Sequence, residues 1–149
     1  MNEYAAPAAV DVEPELNTTD LLERQVAEAP ANALFSRQLS PGKWTDVSAE
    51  EFRADVVSLA KGLIAKGVET GDRVSIMAAT RYEWTLLDFA IWYAGAVTVP
   101  IYETSSPAQV AWIVEDSGVK VVFAEKESHV KAVDRAVAQE KLDLSLIHI

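Results

Sequence analysis

The sequence contains no cysteine, which excludes a disulfide scaffold, a thiolate metal site and a thiol nucleophile. Its two histidines, His129 and His148, do not stand at metal-ligand spacing from one another. Basic residues are scarce: 13 Lys and Arg face 23 Asp and Glu, a formal net charge of −10. Residues 1–30 hold seven acids and a single base, Arg24, and so carry −6 of that total. An acidic chain without a basic patch is a poor ligand for phosphate backbones, and nucleic-acid binding is not expected. Long apolar runs are missing as well. The longest uncharged run, Phe89–Tyr102, has 14 residues and is interrupted by Gly95 and Pro100, whereas a membrane-spanning helix needs about 20 apolar residues. The first sixteen residues have neither the basic nor the apolar region of a signal peptide. A cytoplasmic protein is expected.

Half of the 149 residues are hydrophobic and only six are glycine, a composition that supports a packed core. The pattern is organised around residues 71–103. Val74 and Ile76 alternate with polar neighbours and predict a strand. Thr80 and Glu83 have the spacing of a capping box for the helix that follows. Trp84, Leu87 and Ile91 form one stripe of that helix, and Tyr82, Leu86, Phe89 and Tyr93 another, so it is expected to be buried on two sides. Gly95 is placed to end it, and Ala96–Val99 begins a second strand of buried character.

On either side the same rhythm continues. Residues 1–16 are expected to be a mobile acidic lead-in. Thr18-Thr19-Asp20 offers caps for a short helix ending before Pro30. Residues 33–39 and 43–47 flank Ser40-Pro41-Gly42 and predict a β-hairpin. Ser48 with Glu51, and Ser106 with Pro107 and Gln109, open two more helices, closed at Gly67 and Gly118. Val119–Ala124 reads as a strand, Ser128 as the start of a last helix, and Leu142–Ile149 as a final apolar strand. Alternating helices and strands with short connections define an α/β fold: a mostly parallel sheet with flanking helices and an accessory hairpin.

The chemistry is sparse. Neither G-x-G-x-x-G nor G-x-x-x-x-G-K-[ST] occurs, and the turn Ala78-Ala79-Thr80-Arg81 has no glycine to let backbone approach a pyrophosphate. G-x-S-x-G is also absent. His129 is expected to be an exposed helix-start residue, Asp72 a turn residue, and Trp84, Trp92 and Trp112 core residues. Ligands in open α/β sheets bind beyond the carboxyl ends of strands, here Ala79–Arg81 and Ile101–Ser105. Turn and cap roles account for the polar residues at both places.

Residues 43–124 resemble the N-terminal region of AMP-forming acyl-CoA synthetases, members of the adenylate-forming ligases. Trp44-Thr45-Asp46-Val47 through Phe52 is similar to the first core motif of that superfamily, and Ala94–Ile101 to its second. Pro100-Ile101-Tyr102-Glu103-Thr104-Ser105 resembles the form found in long-chain fatty acid–CoA ligases. The resemblance implies activation of a fatty acid by ATP and Mg2+ through an acyl-adenylate, then transfer to CoA, with peripheral membrane contact left open. It places Tyr102, Glu103 and Thr104 toward the family's cleft. It assigns no catalytic, cofactor-binding or metal residue, because the family's phosphate loop, adenine and ribose motifs, hinge and catalytic lysine belong to sequence beyond the matched region. It implies that residues 17–141 are part of an adenylation domain and that 142–149 are a tail at a truncation. The fragment alone is then expected to be inactive; the alternative is a free-standing α/β binding or regulatory domain.

Overall fold

The computed structural model describes residues 13–141 and 143–149. The expected lead-in lies largely outside them, as does Leu142. Helix α1 (Thr18–Glu28) is followed by an antiparallel hairpin of β1 (Ala33–Ser40) and β2 (Lys43–Ser48). Then come α2 (Ala49–Ala65), β3 (Arg73–Met77), α3 (Tyr82–Tyr93), β4 (Val97–Ile101), α4 (Pro107–Ser117), β5 (Val121–Ala124), α5 (Glu127–Glu140) and β6 (Ser145–His148). Strands β3 to β6 form a parallel sheet in the order β4-β3-β5-β6, while the hairpin is a separate sheet. No helix among the described residues is long and apolar enough to cross a membrane.

Alternation along β3 divides the core between the two faces of the sheet. Val74 and Ile76 pack with Leu63, Leu87, Ile91 and Phe123 beneath α2 and α3. Met77 packs with Ile101, Val110, Val114, Val122 and Val133 beneath α4 and α5. Between the apolar residues of that second face, Ser75 is fully buried and donates its hydroxyl to the Val99 carbonyl at 2.8 Å. A third cluster joins Leu22, Val47, Phe52 and Val56 to Phe35, Tyr82, Leu86 and Phe89. Helix α3 is therefore buried on two sides, along the two stripes expected, and its second stripe holds the hairpin and α1 to the body.

Local signals set most boundaries. Ser48 with Glu51 and Ser106 with Gln109 form reciprocal capping boxes, satisfying donors that a helix start leaves open. Gly67, Gly95 and Gly118 follow α2, α3 and α4 with positive φ, the left-handed conformation that suits glycine.

Four expectations need correction. The cap of α1 is Asn17, whose carboxamide oxygen accepts the Thr19 and Asp20 N–H groups. The hairpin turn is Pro41-Gly42, with Ser40 already paired to Lys43. Strand β4 is not buried throughout: it is an edge strand, and Val97 is half-exposed. Trp112 is exposed on α4, because it faces away from the stripe of Val110 and Val114 that meets the sheet.

Candidate functional site

The carboxyl ends of β3, β4 and β5 meet at one edge of the sheet. The connection after β3 leads to α3 and β4 on one side, and the connection after β4 returns to β5 on the other, so β3 and β5 flank the point where strand order reverses. That position is where open α/β sheets ordinarily take ligands. Here Glu125, the residue following β5, fills it. Its carboxylate accepts the Ala79 N–H at 2.8 Å and the Arg81 Nη1 at 3.0 Å. The Ala79 bond, helped by Arg81 against the opposing effect of burial, holds the Glu125 carboxyl below the usual carboxylate range.

Arg81 is itself shared. Its Nε donates to Glu83 at 2.6 Å, and the other Glu83 oxygen meets Arg37 Nη2 at 3.0 Å. The Arg37 guanidinium also lies over the Tyr82 ring, 5.1 Å from its centre. A chain of alternating charges, Arg37–Glu83–Arg81–Glu125, therefore ties the hairpin to the sheet edge. It also explains why the expected capping box at Thr80 does not form. Arg81 is the cap residue of α3 and makes no side-chain cap bond, while Glu83 turns to the two guanidinium groups. Thr80 is exposed.

His129 is the second correction at this edge. It is 3 % exposed, and its Nδ1 lies 3.0 Å from the Met77 carbonyl oxygen and 3.3 Å from the Lys126 nitrogen. The helix begins at Glu127, one residue ahead of Ser128, so position 129 points inward beneath the end of β3. Both Glu125 and His129 carry a sequence signal only in retrospect: the first of three charges directly after an apolar strand, and a ring three residues into the next helix.

Beside this closed position a cleft of about 270 Å³ remains open between β3 and β4, lined by Ala78, Thr80, Trp84, Pro100, Ile101 and Tyr102. Of the three residues that the resemblance placed toward a cleft, Tyr102 lines it and is 85 % exposed. Glu103 instead pairs with Lys126, and Thr104 lies on the exposed approach to α4. Among the described residues no group of three or more His, Cys, Asp or Glu side chains is arranged to hold a metal ion. The arrangement is thus an internally neutralised edge beside an aromatic cleft. The N–H group at Ala79 and the Arg81 guanidinium, which could otherwise receive a phosphate, are both committed to carboxylates.

A parallel sheet of this order with helices on both faces is an open α/β architecture, which by itself hosts many functions. The chain matches the AMP-binding enzyme family over residues 22–148 and belongs to that family. It matches the N-terminal region of long-chain fatty acid–CoA ligases. It is 46% identical over 133 residues to the long-chain-fatty-acid–CoA ligase FadD15 of Mycobacterium bovis, a match covering 89% of this chain and 22% of that protein. The FadD15 ligase of Mycobacterium tuberculosis is 45% identical over the same length. The chain therefore spans about a fifth of the length of these two relatives. Among solved structures, a long-chain-fatty-acid CoA ligase from Rhodopseudomonas palustris superposes with a TM-score of 0.76 at 24% identity, over 90% of this chain and 33% of that one. A fatty acyl CoA synthetase from Mycobacterium tuberculosis gives 0.74 over 87% of this chain and 26% of that one. These two share the fold.

Proposed function

We propose that this chain is scaffold for a long-chain fatty acid–CoA ligase, and that residues 17–141 are part of its adenylation domain. The single observation carrying the reading is the 46% identity to a long-chain ligase across nearly nine-tenths of the chain. In the reaction, a fatty acid carboxylate attacks the α-phosphorus of ATP and pyrophosphate leaves. The CoA thiolate then attacks the acyl carbon and AMP leaves. Such chemistry needs fixed cations and N–H donors around the phosphorus and a channel for the acyl chain. The edge described above has its donors already matched to Glu125 and Glu83. The reacting groups, and the side chains that hold Mg2+, are assigned to other parts of the ligase, and residues 1–149 to positioning. A peripheral contact with membranes, where fatty acids partition, belongs to that whole protein.

The test is to assay the full ligase polypeptide and residues 1–149 separately with palmitate, ATP and CoA. The reading expects AMP and palmitoyl-CoA from the first and neither from the second. A full polypeptide that binds ATP or acyl groups without turnover would favour a binding or regulatory role.

A further inference from the structure

We infer that the outer flank of α3, beside the free edge of β4, is a docking surface for a cation-bearing segment of the larger ligase, seated with its arginine on Asp88. The proposal rests on the ligase reading for the source of that segment, and on the following geometry for its chemistry.

Trp84, Asp88 and Trp92 are four residues apart on α3, which puts them on one stripe about 12 Å long. Trp84 lines the cleft shared with Thr80, Pro100 and Tyr102. Trp92 lines a second hollow, of about 360 Å³, with Asn17, Thr19 and Gly95. Asp88 stands between the two. It is 9 % exposed, and its Oδ1 is buried without a hydrogen-bond partner among the described residues. Thr98, on β4, lies beside it; its hydroxyl weakly favours the ionised carboxyl, yet its buried Oγ1 also lacks a completed hydrogen bond.

Asp72 supplies the comparison. It is as buried as Asp88, at 9 %, but accepts Lys120 Nζ at 2.8 Å and the Glu69 N–H at 2.8 Å. Glu23, Glu83 and Glu125 likewise each meet an arginine within 3.0 Å. Asp88 is the buried carboxylate that this pattern leaves unmatched, and an unpaired buried carboxyl is costly. An arginine suits this position: its guanidinium donates to the Asp88 carboxylate, which Thr98 orients from β4, and stacks on an indole face.

The edge itself favours side-chain docking over strand addition. The Val97 N–H donates to the carbonyl of Asp72, just ahead of β3, so in a parallel ladder the main-chain groups of Thr98 and Pro100 face outward. Proline contributes no N–H, which blunts this edge as a template for another strand.

The probe is acetyl-Leu-Ala-Arg-Ala-Leu-amide, whose alternate side chains span about 13 Å when extended, against the same peptide with neutral citrulline in place of arginine. Tryptophan fluorescence of the 149-residue chain reports occupancy, and the 13C shift of the Asp88 carboxyl reports its titration. The arginine peptide is expected to bind about tenfold more tightly than the citrulline peptide and to move the Asp88 titration to lower pH. Asp88→Asn should reduce its affinity to the citrulline level, and Thr98→Val should weaken it without altering the citrulline peptide. Equal binding of the two peptides, indifference to Asp88→Asn, or no binding up to about 10 mM would overturn the proposal. So would self-association of the chain that Asp88→Asn abolishes, which would make a second copy the occupant. The titration needs no ligase turnover, so its failure is read separately from failure of the ligase reading.

Discussion

Glu125 accepts the Ala79 N–H at 2.8 Å, joining the end of β5 to the turn that leaves β3. The bond closes the strand-order reversal point with the protein's own carboxylate, and Arg81 completes the clamp. Glu125→Gln should therefore lower stability by about 1–2 kcal/mol at pH 7, because hydrogen bonds to charged groups are the stronger kind. The carboxyl is depressed in the folded state, so its contribution is full above the unfolded pKa and is lost as pH falls through the folded one. Urea unfolding of the two proteins should show a gap at neutral pH that closes in acid; a gap independent of pH would contradict the assignment.

Arg73 caps a helix from the neighbouring strand. Its guanidinium donates to the carbonyls of Ser117 and Gly118 at 2.7 and 3.1 Å, at the end of α4. Gly118 has φ +61°, and a Cβ there would lie 2.8 Å from Arg73 Nη2. Gly118→Ala should cost about 1–2 kcal/mol through the left-handed backbone alone. It should cost about 0.5 kcal/mol less in an Arg73→Ala background, where the clash is gone. Thermal or urea unfolding of the double-mutant cycle measures the difference, and strict additivity would show that the guanidinium simply swings aside.

His129 is buried beneath the end of β3, beside the Met77 carbonyl. His129→Ala removes a filled core volume and a hydrogen-bond partner together, and should cost about 2–3 kcal/mol. An exposed surface histidine would cost nothing measurable, so equilibrium unfolding separates the two descriptions.

These residues mark what the sequence could and could not convey. Periodicity located the central unit because Leu87, Ile91 and Phe89, Tyr93 repeat at helical spacing; the first pair is buried and the second half-buried against the hairpin cluster, where that spacing put them. The boxes at Ser48 and Ser106 were legible because the cap and its partner lie three residues apart, within one turn. The box at Thr80 was not, since Glu83 is drawn away by Arg37, 46 positions earlier, and by Arg81, which is itself held by Glu125. Whether β4 is central or at an edge depends on strand order, which no local pattern encodes. The closed reversal point escaped notice for the same reason: Glu125 and Ala79 are 46 residues apart. The open cleft was half legible, through Tyr102 but not Trp84.

Asp88 yields the opposite pH dependence to Glu125. Burial pushes its carboxyl up, only partly offset by Thr98. With the folded pKa above the unfolded one, ionisation penalises the fold as pH rises through that interval, and the penalty is absent in acid. Asp88→Asn should therefore stabilise the isolated chain by about 1 kcal/mol at pH 7 and have little effect at pH below the unfolded carboxylate range. Loss of stability at neutral pH would mean that the carboxylate is already partnered.

The role proposed for residues 1–149 is to position a reaction whose groups lie elsewhere in a ligase. Its most direct test is palmitate-dependent exchange of labelled pyrophosphate into ATP by the purified 149-residue chain, alongside the full ligase. Exchange is expected from the ligase and none above the no-protein background from the chain; exchange by the chain alone would contradict that role.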